Sequence, residues 1–218
     1  MVLRDSKAFG LRGKRMGLRE WAVKPGELRA LSRGGLLLFS ARCAMRVEPW
    51  MPAEAAPLWE ESLRFVVRAA FATAPACDVP RWRALSNLGA RACGRLAAAD
   101  EPLGQCMNCA TLTLATAVEA AGAEARPIVL KHVIYAAKCS ASIAAVWAHA
   151  GRVVAGKGQD AVELASTTTW AAIRADIAPL AVGAAALEHA ADALETLRQL
   201  APLWEGVPPP WATPPSDN

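Results

Sequence analysis

Tyrosine is almost missing from this chain: Tyr135 stands alone beside four phenylalanines and eight tryptophans, so the large packing anchors are mainly indoles. Histidine is scarce too. His132 and His149 fall seventeen residues apart on one expected helix, too far to ligate one ion, and His189 is distant from both. No H-x-x-x-H or second C-x-x-C accompanies Cys106-Met107-Asn108-Cys109, which removes the usual ligand set of a structural zinc site. A secretory signal is lacking as well. The only early apolar run, Gly34–Phe39, is shorter than the roughly 7–15 residues of a signal core and lies far from Met1. No window reads as a membrane span, because the most apolar one holds Lys131, His132 and Lys138 and the stretch from Ile177 to Leu187 is too short. Ser166–Thr169 lacks the glycine setting of a nucleophile elbow, and Glu60 and Glu61 are adjacent and diverge.

What the chain has is alanine, within a hydrophobic fraction of 54%. Alanine is the best helix former and buries little area, so the expectation is an all-α, closely packed single domain of about six helices. The longest helical period is Arg126–Ala150, with Pro127 in a first turn and Gly151 as its end. Ile128, His132, Tyr135, Cys139, Ile143 and Val146 step by three or four and draw one stripe along it. Further helices are expected from Ala53 or Pro57 to Ala72, after an Asp78 cap, and from Gln105 to Ala121. Two more are expected, from Asp160 to Arg174 and from Leu180 to Leu200.

Charge divides the chain. Residues 1–46 carry 11 basic and three acidic groups, a balance of +8, leaving 13 basic and 17 acidic groups beyond, a balance of −4. Glycines break every period in the first part, so 1–46 reads as a basic leader, disordered, a targeting segment, or upstream of a true start at Met45. The domain then covers 47–206 and a Pro-rich tail 207–218, expected to run extended over the surface.

Six cysteines in a long chain without a signal point to reduced thiols. The Cys106/Cys109 pair reads as two buried thiols, a partial metal site or a redox pair. Gly151–Gly158 imitates a phosphate-binding loop, but Gly158 replaces the Ser/Thr that would hold Mg²⁺, and a flexible connector is the plainer reading. His132 reads as a core histidine, and Lys131, Tyr135 and Lys138 beside it form a basic strip if that edge is exposed. No triad, acid–base pair or metal centre assembles, so the chain reads as no enzyme, with no catalytic, cofactor-binding or metal residues to assign.

The pair in Pro57-Leu-Trp59-Glu60-Glu61, the phrase Val129-Leu-Lys-His132-Val-Ile-Tyr-Ala-Ala137 and the ending Pro202-Leu-Trp204-Glu-Gly206-Val-Pro-Pro-Pro-Trp211 resemble the Ala-rich helical immunity proteins of bacterial polymorphic toxin systems. The resemblance implies a cytoplasmic, non-enzymatic protein that binds and blocks a toxin domain, its acidic body meeting a basic cleft, with no nucleic acid, membrane or cofactor. Trp59, Trp204 and Trp211 are then candidate anchors if exposed, and core seals if not. The alternative is a small metal- or thiol-dependent protein using Cys106 and Cys109.

Overall fold

The structure, a computed structural model, describes residues 22–51, 55–96, 102–155, 159–204 and 206–212, with backbone alone at 89–96, 102, 148–155 and 159–161. Its helices are α1 (Arg33–Val47), α2 (Ala56–Phe71), α3 (Val79–Leu96), α4 (Pro102–Gly122), α5 (Arg126–Ala155), α6 (Gln159–Ala175), α7 (Ile177–Glu188) and α8 (Ala193–Gln199). Single 3-10 turns occur at Glu27–Ala30, Glu48–Trp50 and Pro210–Ala212, and no strand occurs among the described residues. The expected all-α class holds.

The centre of the bundle is α1, which packs against α2, α4, α5, α7 and α8. Ser32 starts it, accepting the Gly35 N–H at 3.0 Å as an N-cap should. From Gly35 to Val47 every residue is buried. Leu36, Leu37, Leu38, Phe39, Ala41, Cys43, Ala44, Met45 and Val47 place apolar atoms on all sides, the pattern of a helix with no solvent face. The expected division at residue 46 is therefore wrong: it cuts through the innermost helix, one residue before its end. Residues 1–21 of the expected leader lie outside the described residues. At its N-terminal end α1 nearly touches α2, since a Cβ on Gly34 would stand 2.5 Å from the Ala70 carbonyl oxygen.

The helix expected from Leu180 to Leu200 is two helices. His189–Asp192 breaks it, and the Asp192 carboxylate caps α8 by accepting from Leu194 N and Glu195 N, both at 3.1 Å. The break expected at Asp176 and Pro179 falls at Asp176, and Pro179 sits in the first turn of α7, where its missing N–H costs nothing. Asp78 caps α3 as expected, accepting from Arg81 N at 2.8 Å. The backbone runs helically through Gly151 to Ala155, so the expected glycine stop fails and half of the expected connector is helix. Gly156 to Gly158 lie outside the described residues.

The inward side of α5 also differs from the expected stripe. Val129, Val133, Ala136, Ala137, Ser140, Ile143 and Ala144 are buried, whereas Ile128 and Tyr135 are 49% and 46% exposed. Alanine lets α5 lie close to α1 and α4, so Ala136, Ala137 and Ala144 face inward with the valines and Ile143, while Ile128 and Tyr135 line the rim. The tail is anchored rather than merely extended. Trp50 Nε1 donates to the Trp211 carbonyl at 3.1 Å, Trp211 Nε1 donates to Thr169 Oγ1 at 2.9 Å, and Ala212 is buried. Residues 213–218 lie outside the described residues.

Candidate functional site

Three features of the fold carry chemistry. The first sits inside it. Arg42 and Arg46, one turn apart on α1, both reach Asp176 at the α6–α7 junction, and all three side chains are at most 2% exposed. Arg42 donates to Asp176 Oδ1 through Nε at 3.2 Å and Nη2 at 2.9 Å, and Arg46 Nη1 donates to Oδ2. Two cations against one anion leave a charge uncovered, and backbone carbonyls supply the rest. Arg42 donates to the carbonyls of Leu197 at 3.1 Å and Ala201 at 2.8 Å. Arg46 donates to those of Ala172 at 2.7 Å and Leu203 at 3.0 Å, with the Trp204 ring 6.0 Å away. Ala172 lies in the last turn of α6 and Leu197 in that of α8, where carbonyls have no partner within the helix and the helix dipole is negative. Guanidinium groups thus cap two helix C-termini from inside. Their donors are directed at protein acceptors, so the cluster is structural. Sequence reading missed it because Arg42 and Arg46 count toward a basic leader; the signal was their i, i+4 spacing within an otherwise apolar run.

The second feature is the thiol layer between α4 and α5. Cys106, Cys109 and Cys139 are buried, and Cys106 Sγ approaches the Ile143 carbonyl at 4.0 Å. Burial pushes the Cys106 and Cys139 thiols far up from their ordinary value, with Cys109 nearby adding to both. The neighbouring Cys139, with partial burial, raises Tyr135 to about 12. At neutral pH these groups are protonated, whereas nucleophilic and metal-binding cysteine is the thiolate. No group of three or more His, Cys, Asp or Glu among the described residues is placed to hold a metal ion. The side chains of Cys93 and His149 lie outside the described residues. His132 is not the core residue expected; it is half-buried at the rim, its Nδ1 3.3 Å from Glu119 Oε2. Cys77 is exposed, and Ser166–Thr169 faces partly inward, with Thr169 receiving Trp211.

The third feature is the outer side of α7. From Ile177 to Leu187 there is no charged or hydrogen-bonding side chain, yet only Leu180 and Leu187 are buried. Ala178, Ala181, Ala185 and Ala186 are exposed, and Val182 is 87% exposed. At and past its C-terminal end lie the exposed acids Glu188, Asp192 and Glu195. Arg64 joins Asp192 at 3.3 Å to Glu60 at 2.8 Å, and Arg198 joins Glu60 at 2.8 Å to Glu48 at 3.3 Å. Five acids there meet two cations. Burial raises Glu48 against the pull of Arg198, while backbone N–H groups and Arg64 hold Asp192 below its ordinary value.

The suspected tryptophan anchors are sealed or half-sealed. Trp59 is buried in the core, and Trp204 and Trp211 are half-buried, one against Arg46 and the other bonded to Thr169. Arg126–Trp147 and Val162–Glu188 are each long and apolar enough to cross a membrane by length and composition. The second exceeds the short window expected, because it adds α6 to α7 across the turn at Asp176. No family model, characterised protein or solved structure matches the chain.

Proposed function

We propose that this chain is a non-enzymatic binding protein of the cytoplasm that neutralises a toxin domain, as the immunity proteins it resembles do. The observation that carries the binding reading is α7. A helix with no polar side chain over eleven residues belongs in a core, yet only two of these residues are buried and five are exposed. An apolar centre beside an acid-rich corner matches the make-up of a protein interface for a basic partner, apolar in the middle and charged at the rim. The buried, protonated thiols lend no support to the thiol- or metal-dependent alternative.

The test uses the full chain as bait in a lysate of the source cell, beside a Val182→Glu variant that puts a charge in the middle of α7. One partner captured by the parent and lost by the variant is expected. That partner, expressed by itself, should arrest growth, and co-expression of this chain should restore it. A captured partner that is harmless, or an arrest that this chain fails to relieve, overturns the neutralising role.

A further inference from the structure

The rim of α5 carries a surface of a different kind from α7. Ile128, Lys131, Tyr135 and Lys138 follow at intervals of three, four and three residues, and all four are exposed. That spacing makes one stripe over three turns, about 15 Å long. Apolar side chains alternate along it with cations. Neither lysine has an ion-pair partner among the described residues. At the stripe's start Arg126 Nη2 donates to the carbonyls of Leu31 at 2.8 Å and Arg29 at 3.3 Å, which sets a second exposed arginine, Arg29, beside it. The neighbouring acids are Glu119, engaged by His132, Glu27, engaged by Arg174, and Glu124. Four exposed cations therefore outnumber three acids, two of which are already engaged.

We propose that this face docks an acidic amphipathic helix of a partner protein. Its apolar side chains pack on Ile128 and Tyr135, and its carboxylates meet Lys131 and Lys138. The two lysines are seven residues apart, about 10.5 Å along the axis, which matches carboxylates two turns apart on a facing helix. A single-stranded nucleic acid fits less well. It would want a groove and several stacking rings, and here there is one ring on a convex face with an isoleucine that offers phosphate nothing.

The test titrates the full chain with a fluorescein-labelled heptad-repeat peptide bearing leucine on one stripe and glutamate beside it. The same peptide with lysine for glutamate, and a labelled oligothymidylate, serve as comparisons. The acidic peptide should bind, more weakly as salt rises. Tyr135→Ala and the pair Lys131→Glu with Lys138→Glu should each weaken it by about tenfold or more. Lys131→Gln with Lys138→Gln, which only neutralises, should lie between, and matching melting curves exclude a folding defect. Equal binding of the lysine peptide, or variants that bind like the parent, overturns the proposal. So does binding of the oligothymidylate alone, which would make the face a nucleic-acid surface.

Discussion

Asp176→Ala should be among the most damaging single changes in this chain. It leaves two guanidinium groups inside the bundle without a counter-charge, and breaking a buried ion pair in this way costs about 3–5 kcal/mol. For a domain of this size each kcal/mol moves the melting temperature by about 2–4 °C, so a drop of roughly 6–20 °C is expected. Asp176→Asn retains an acceptor oxygen and should fall in between. The sharper test removes the whole cluster, as Arg42→Met with Arg46→Leu and Asp176→Leu. Replacing a buried ion pair by apolar side chains is often neutral or stabilising. Here it should not be, because the guanidinium groups also satisfy the carbonyls of Ala172, Leu197, Ala201 and Leu203, and each one orphaned costs about 1–3 kcal/mol. Thermal and urea unfolding followed by circular dichroism at neutral pH measures both variants. An Asp176→Ala protein melting within about 2 °C of the parent would refute the charge argument by the same conversion. A triple variant melting above the parent would refute the capping argument.

Other consequences can be checked with the same preparations. Gly34→Ala places a Cβ 2.5 Å from the Ala70 carbonyl oxygen, a backbone atom with little room to yield, and should cost about 1–3 kcal/mol in urea unfolding. A chain beginning at Met45 loses Leu36–Ala44 from the core and should show no cooperative melt where the full chain does. Thiol alkylation mapped by mass spectrometry should label Cys77 in the native protein, and Cys43, Cys106, Cys109 and Cys139 only after unfolding. Burial pushes Cys43 from 9.0 to about 12, so the fold keeps this thiol protonated where the unfolded chain ionises it. Stability fully present below pH 9 should therefore fall as pH rises toward 12, and Cys43→Ala should lessen the slope.

Helix content was legible because it rests on alanine and on caps such as Asp78, which act locally. Where helices lie relative to one another was less so. Three adjacent leucines and a phenylalanine in α1 show no period because all sides of it are covered, and two arginines made it look like surface. Their partners are 126 to 160 residues away in the chain, beyond the reach of any local pattern. On α5 the guide of large apolar residues misled in part, since Ile143 lies inside with valines and alanines whereas Ile128 and Tyr135 lie at the rim. Asp192 carries a cap signal that the unbroken apolar spacing from Leu180 to Leu200 hides. The bare stretch of α7 was visible in the letters, yet an apolar run gives no sign of whether it is covered.

The arginines of α1 also set an order of events. During synthesis α1 emerges first among the described helices, and its guanidinium groups wait for acceptors from Ala172 through Leu203. Until those last segments dock, the side of the innermost helix that meets α7 and α8 has no cover and its two charges have nowhere dry to go. Closure thus belongs to the final part of the chain, and its many long-range contacts favour slow, all-or-none folding over growth from the N-terminus. A nascent chain of this protein is a better client for a chaperone than the finished one.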